Sequence, residues 1–461
     1  CAMVAAVPRT FRGRLLLLSA LGLAVRALWV ALEPATSPVA DETMWLTWGT
    51  QVLPSPEVGF SPLRLRFVFH PPLYLYFLGL PFALTGSLVA VQYLQCLVGA
   101  TLVPALGLLG RRGFGERAGL AAAGLGAIYP ELVWFGSHFW AETLFTVLLW
   151  WAIERAAASD ARASAAAALG AGMLFGLAIL TRETVLYFLP LAALWLAWGR
   201  PGGLRRAALL VAASLLVVVP WTVRNYLVFD ALVPVSTAGA LNLWQGNTRM
   251  SRQEVYEEHW AVHGRIAQYQ HARRRALEAI LERQPLWILE KLRSELPAFW
   301  EAHAQPIVHI ERGAYGSVRR SLALGAVALV LVPYLAVLVL FVIGLLRLPP
   351  GRVPRLVLAF LLFYVLLHVA AHGYPRYRLP AMPALLLVAG HALSTWRAPG
   401  PAPDRARVAA AAAAALVLGL SVAPSLVRWI RVPWPPPWFE GVGVEPGREA
   451  PPAGDEGPGG H

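Results

Sequence analysis

Residues 15–32 read LLLLSALGLAVRALWVAL, and a short way beyond them stands Ala40-Asp41-Glu42-Thr43-Met44-Trp45. An apolar run of that length, rising about 1.5 Å per residue as a helix, suits the roughly 30 Å hydrocarbon core of a bilayer. Arg9, Arg12 and Arg14 precede it, so the positive-inside rule puts the N-terminus in the cytoplasm and brings the chain out near Glu33-Pro34. Many further apolar runs follow, so 15–32 reads as a first membrane helix and not as a cleaved signal. The acidic pair then lies just outside the bilayer, flanked by Trp45 and Trp48, with no basic residue beside it in sequence.

Composition extends this reading to the whole chain. Of 461 residues, 57% are hydrophobic and 14% charged, with a mean hydropathy of +0.56. These values exclude a soluble globular domain, and lipid admits helices because it cannot satisfy open backbone groups. The net charge of +13 would suggest nucleic acid if it clustered on one face, but the arginines are scattered between apolar runs, where they set topology. Cys96 sits inside an apolar run and its only companion is Cys1, which excludes a disulfide framework.

The expected architecture is an all-α polytopic membrane protein with about eleven spans. Residues 1–226 form a transmembrane module with an external loop at 33–70, in which 43–53 has the pattern of an interfacial helix. Its spans fall near 15–32, 88–109, 117–135, 139–157, 165–181, 184–198 and 207–226, with the shorter 72–85 interfacial or re-entrant. Residues 227–320 read as an external helical domain, with helices over 252–284 and 286–302 separated at Pro285. Spans near 321–346, 355–371, 378–396 and 408–430 follow, and 431–461 is a Pro/Gly-rich disordered tail.

On this topology the polar residues collect at the external span ends, where a transporter would place them nearer the bilayer centre. Asp41 and Glu42 are the candidate catalytic pair, since a carboxylate there can take a hydroxyl proton as an acceptor attacks a sugar. Arg376 and Arg378 bring two guanidinium groups to a span start at the depth of a lipid phosphate, and Arg224-Asn225 is a second candidate for phosphate or sugar. His70, His138, Glu142, Arg182, Asn242 and Tyr374 complete the candidate substrate-binding set. Span ends also carry charge through simple snorkelling, which is the plain alternative for any one of these residues. Among metal readings, His259 and His263 share a helix face without the His-Glu-x-x-His pattern, and Glu42 with His70 is the better candidate for a divalent cation.

These motifs resemble the bacterial members of the protein O-mannosyltransferase superfamily, the dolichyl-phosphate-mannose–protein mannosyltransferase-like enzymes of glycosyltransferase family 39, with the GT-C fold. The resemblance is carried by Asp41-Glu42, His70-Pro71-Pro72-Leu73-Tyr74, Ala141-Glu142-Thr143-Leu144-Phe145 and Leu180-Thr181-Arg182-Glu183. It continues through Pro220-Trp221-Thr222-Val223-Arg224-Asn225-Tyr226, Pro234-Val235-Ser236-Thr237, Leu241-Asn242-Leu243-Trp244-Gln245-Gly246-Asn247 and Tyr377-Arg378-Leu379-Pro380-Ala381-Met382-Pro383. It implies a polyprenyl-phosphate-linked sugar donor, an inverting transfer with Asp41 as base, and Arg376 and Arg378 on the phosphate. The site would face the periplasm or exterior of an inner membrane, and the acceptor would be a glycolipid, polysaccharide or protein. The large β-domain of the eukaryotic relatives has no counterpart, since 227–320 is short and helical in pattern. A lipid-linked sugar flippase, or an inactive polyprenyl-lipid-binding relative, is the alternative from another class.

Overall fold

The computed structural model describes residues 10–33, 36, 38–39, 41–52, 67–198, 200–316, 318, 320–397 and 402–431. Among them the chain is helical, with turns and no strand. The expected tail and part of the first external loop lie outside the described residues. The first part of the chain forms α1 (Phe11–Leu32), α2 (Asp41–Gln51), α3 (Leu73–Thr85), α4 (Leu88–Ala100), α5 (Leu102–Phe114), α6 (Glu116–Ile128) and α7 (Pro130–Trp134). It continues with α8 (Glu142–Arg162), α9 (Ala165–Thr181), a 3-10 turn at Glu183–Tyr187, α10 (Leu189–Ala197) and α11 (Gly203–Phe229). The polar module holds α12 (Ala238–Asn247), α13 (Arg252–Ala261), α14 (Arg265–Leu281), α15 (Trp287–Trp300) and α16 (Gln305–Glu311). The chain closes with α17 (Arg320–Leu346), α18 (Arg352–Ala370), a 3-10 segment at Pro375–Ala381, α19 (Met382–Thr395) and α20 (Arg405–Arg431).

Six helical stretches are long and apolar enough to cross a membrane: Phe11–Leu32, Leu88–Phe114, Gly203–Phe229, Ser321–Leu346, Arg352–Ala370 and Arg405–Val427. They coincide with six of the expected spans, and the other five fall on α6, α8, α9, α10 and α19. Of these, α9 is 17 residues long and α6 and α19 are 13 and 14. The expected interfacial segment is α3, whose 13 residues rise only about 20 Å.

The bundle is built around α8 and α19. Every residue of α19 from Met382 to Ala392 is buried, and α8 buries both faces, while α1, α11, α17 and α20 carry exposed leucines such as Leu16 and Leu216. In lipid there is little hydrophobic gain from pairing helices, so close packing must hold them, and small residues allow it. Gly119 of α6 lies so close to α5 that a Cβ there would meet the Gly107 carbonyl oxygen at 2.5 Å and the Arg111 nitrogen at 2.7 Å. Gly390 of α19 meets α6 in the same way, its Cβ position 2.6 Å from the Ala122 nitrogen.

One charge within the first span needs a partner. Arg26, buried in α1, donates to the carbonyls of Gly22 at 2.9 Å, Ala127 at 3.0 Å and Gly126 at 3.1 Å. The last two belong to the final turn of α6, where carbonyls lack intrahelical donors and the helix dipole favours a cation. The remaining ion pairs gather at the two ends of the bundle. At one end Glu154 pairs with Arg112 and Arg155, and Asp160 with Arg352 at 3.0 Å and Arg200 at 3.2 Å. At the other stand Asp41, Glu142 and Arg376.

The polar module differs from expectation in one respect. The helix expected over 252–284 is broken after Ala261, because Gly264 adopts φ +90°, a left-handed conformation that a helix cannot carry. The stop lets α14 fold back, so that α12, α13 and α14 enclose a small core of Leu241, Trp244, Val255, Ala272 and Ala276.

The tight α5–α6 contact sets an expectation for stability. Gly119→Val should destabilise the folded protein by about 1–3 kcal/mol through overpacking against backbone. Gly124→Ala should be near neutral, since its nearest neighbour is a flexible leucine end at 3.8 Å. Detergent-solubilised thermal melts read the difference, and equal melting temperatures for the two variants would refute the packing argument.

Candidate active site

Asp41 and Glu42 open α2, where acidic groups suit the N-terminal end of the helix dipole. Adjacent helical residues point about 100° apart, so the two carboxylates part company. Glu42 turns inward. Its Oε1 accepts from the Phe139 backbone N–H at 3.0 Å, and its Oε2 accepts from Val39 N–H at 3.2 Å and meets His309 Nε2 at 3.1 Å. Asp41 stays at the surface, with 33% of its side chain exposed, and its Oδ2 accepts from Arg376 Nη2 at 2.8 Å.

Behind Asp41 the charges alternate. Arg376 Nε stands 3.2 Å from Glu142 Oε1, and Arg182 Nη1 donates to the same oxygen at 2.5 Å. The Arg376 guanidinium lies 4.2 Å from the centre of the Trp140 ring, and both Arg376 and Arg182 lie 5.1 Å from that of Tyr377. Side-chain exposure falls from Asp41 through Arg182 at 18% and Arg376 at 10% to Glu142 at 2%. Two acids and two guanidinium groups cancel, and charges this deep persist only because each has its counter-ion. Burial pushes the Asp41 carboxyl up, but the Arg376 charge outweighs it and holds the group below the usual carboxylate range. Asp41 is therefore ionised at neutral pH.

The structure sorts the remaining expected residues. His70 does not join Glu42. Its Nε2 lies 3.0 Å from Met44 Sδ, its ring packs against Trp45 and Phe69, and burial lowers it to about 4, leaving it neutral. The Glu42–His70 metal pairing is thus corrected, because the groups that Glu42 meets are His138 and His309. His138 is 2% exposed and turns into that cluster instead of toward a substrate surface. Glu42 itself, expected beside Asp41 in catalysis, is buried at 2% exposure and turned away from the Asp41–Arg376 pair.

Arg378 is also corrected. It is fully buried, pairs with Glu131 at 3.2 Å, donates to the Glu301 carbonyl and lies over the Tyr334 ring at 4.2 Å. No donor phosphate can reach it there, whereas Arg376, two residues earlier in the same 3-10 segment, points to Asp41. Arg224 donates to the Phe67 carbonyl at 3.1 Å and to Asn225 Oδ1 at 3.0 Å, and Asn225 in turn donates to the carbonyls of Val233 and Val235. Asn225 is fully buried, so this pair braces the end of α11 against the segment before α3. Asn242 is exposed on α12, and Tyr374 is half-buried, its ring 6.0 Å from Tyr377.

Sequence reading did not single out Glu33, His309, Trp140 or Tyr377 for this site. Glu33 closes α1, where its Oε1 accepts from Tyr315 Oη at 3.0 Å and lies 3.7 Å from His138 Nε2. Burial pushes the Glu33 carboxyl up to about 7. His309 lies 267 residues from Glu42, and only its occurrence as an isolated histidine in the apolar stretch Ile307-Val308-His309-Ile310 could have drawn notice.

The Arg378 assignment has a measurable consequence. Arg378→Met should cost about 3–5 kcal/mol, because Glu131 is left buried without a counter-charge, and adding Glu131→Gln should recover most of the loss. Chemical unfolding in detergent compares the three proteins. A single variant as stable as wild type would show that the pair is not structural.

Residues 69–223 match the family model described as dolichyl-phosphate-mannose-protein mannosyltransferase. No curated protein matches the chain. Among solved structures, the archaeal oligosaccharyltransferase AglB from Archaeoglobus fulgidus, in complex with an inhibitory peptide and a dolichol-phosphate, aligns at 14% identity and a TM-score of 0.48. That alignment covers 89% of this chain and 54% of the other, so the chain spans about half the length of its archaeal match. ArnT from Cupriavidus metallidurans aligns in the apo state at 18% identity, covering 83% of this chain and 77% of that one, with a TM-score of 0.37. Its form bound to undecaprenyl phosphate aligns at 18% identity over 82% and 77%, with the same TM-score of 0.37. The likeness to the dolichyl-phosphate-mannose-protein mannosyltransferases is therefore one of residues 69–223, which run from the end of the first external loop to the last turns of α11.

Proposed function

We propose that this protein transfers a sugar from a polyprenyl-phosphate donor to an acceptor outside an inner membrane, with inversion at the anomeric carbon and Asp41 as general base. The observation that carries the reading is the half-exposed Asp41 carboxylate, held through Oδ2 by Arg376 at the head of the Arg376–Glu142–Arg182 chain. The family match over 69–223 supports a lipid-phosphate sugar donor, and the arginine distribution along the sequence supports an external or periplasmic site.

The chemistry follows from the charges. The acceptor hydroxyl oxygen attacks the anomeric carbon from the face opposite the phosphate, its proton passes to Asp41, and the bond from carbon to phosphate oxygen breaks. A single displacement inverts the centre. The leaving lipid phosphate changes from a singly charged diester to a doubly charged monoester, so a cation beside it stabilises the transition state more than the ground state. Arg376 suits that role, because its planar guanidinium can exchange Asp41 for a phosphate oxygen while Glu142 keeps it in place. Arg182 supplies the second positive charge. A carboxylate of low basicity suffices as base, since a sugar transition state with developing oxocarbenium character takes the proton late. The acceptor would be a glycolipid, a polysaccharide or a protein.

Asp41→Asn keeps the shape and removes the proton acceptor, so it should lower transfer by about 100-fold or more. Binding of the donor should stay within a few-fold of wild type. Purified protein, a radiolabelled polyprenyl-phosphate sugar and candidate acceptors measure both. Undiminished turnover would sink the assignment of Asp41.

A further inference from the structure

We propose that Glu42, His138 and His309 form a divalent-cation site of the zinc class that locks the Asp41-bearing helix to the rest of the fold. The ligand atoms of Glu42, His138 and His309 lie within 4.8 Å of one another, and all three residues are buried. Glu42 Oε2 is 3.1 Å from His309 Nε2, and Glu33 Oε1 is 3.7 Å from His138 Nε2. Tetrahedral zinc with bonds of roughly 2.0–2.2 Å needs its ligand atoms about 3.3–3.5 Å apart, close to the Glu42–His309 spacing and within side-chain adjustment of the rest.

The hydrogen bonds on the far side of each ring decide what fills the centre. His138 Nδ1 lies 3.1 Å from the Trp134 carbonyl oxygen, which only accepts, so that nitrogen carries the hydrogen. Ser137 Oγ, 3.0 Å from the same nitrogen, gives its own hydrogen to Trp134 O and cannot supply one to the ring. His309 Nδ1 lies 3.2 Å from the Gln305 carbonyl oxygen and 3.5 Å from the Gln305 amide Nε2, and the shorter contact, to an atom that only accepts, favours the same tautomer. A neutral ring protonated at Nδ1 presents a lone pair at Nε2, which is the arrangement that outer-shell carbonyls impose on metal-binding histidines. Both Nε2 atoms therefore face inward toward carboxylates, and His138 Nε2 is buried with no hydrogen-bond partner. Among the described residues no lysine or arginine pairs with Glu33 or Glu42. Two lone pairs and the Glu42 carboxylate then converge on one point, where a cation would satisfy all three.

Two imidazoles and a carboxylate suit zinc over magnesium or calcium, which prefer oxygen ligands throughout. All three ligands are buried at 2% exposure or less, so no substrate reaches the ion and its role would be structural. It would tie together the start of α2, the turn before α8 and α16, fixing Asp41 without touching substrate. The inference stands apart from the transferase reading, because it is read by metal content and not by turnover.

The full-length protein, stripped with chelator and reloaded with Co²⁺, should take up one ion per chain with the intense visible bands of a tetrahedral site, displaced by Zn²⁺. His138→Gln and His309→Gln should each weaken binding by more than the roughly 10–100-fold typical of losing an outer-shell partner. His263→Gln and Asp41→Asn should bind as wild type. Where a histidine variant does not elute as a monodisperse folded species, Glu42→Gln, which keeps its shape and loses the ligand charge, takes its place. No uptake by wild type, or undiminished uptake by a folded histidine variant, would overturn the site and leave a proton-bridged cluster.

Discussion

The guanidinium of Arg376 bridges Asp41 and Glu142, and the arrangement of this end of the molecule depends on it. Arg376 belongs to the 3-10 segment before α19, Glu142 opens α8, and Asp41 opens α2. One side chain thus joins the two central helices of the bundle to a peripheral helix that carries the exposed acid. Removing Glu142 would leave Arg182 without its acidic partner, at a cost comparable with a large part of a protein's net stability, whereas removing Asp41 leaves Arg376 paired with Glu142. The same network keeps Asp41 ionised while leaving a third of its side chain open to solvent.

Beside this network lies a second one with opposite character. In the first, arginines balance acids. In the second, Glu33, Glu42, His138 and His309 meet with no arginine or lysine pairing among the described residues. The two share α2: Asp41 enters one and Glu42 the other, because neighbouring helical residues diverge by about 100°. A single helix start therefore sends its two carboxylates into two different networks. Trp140 and Trp134 line the boundary, the first under Arg376 and the second stacked on His138 with ring centres 3.6 Å apart. Both rings are buried, and their apolar bulk lowers the local dielectric, which strengthens nearby electrostatic contacts.

Arginines elsewhere show how similar residues take different tasks. Arg376 and Arg378 sit on one short segment, yet Arg376 reaches the half-exposed acid and Arg378 is sealed against Glu131 and Tyr334. Arg26 and Arg224 spend their donors on backbone carbonyls left open where helices end or loops begin. Charged groups in such an apolar chain are few, and most of those near the Asp41 end satisfy other buried polar groups.

Hydropathy and the arginine pattern carried the helical class, six of the spans and the two polar ends, because span length and flanking charge are local properties set by the bilayer. Asp41, Glu142, Arg182 and Arg376 were legible as members of one site, since each stands at a span end assigned to the same face. Spacing could not separate Asp41 from Glu42, where only the resemblance favoured Asp41, or Arg376 from Arg378, because helical phase and depth of burial decide between neighbours. Nor could it join Glu42 to His309 across 267 residues, or locate the stop at Gly264 that turns α14 back on α12. Local chemistry determined which residues lie at the Asp41 end, and packing of distant helices decided which of them face solvent and which face one another.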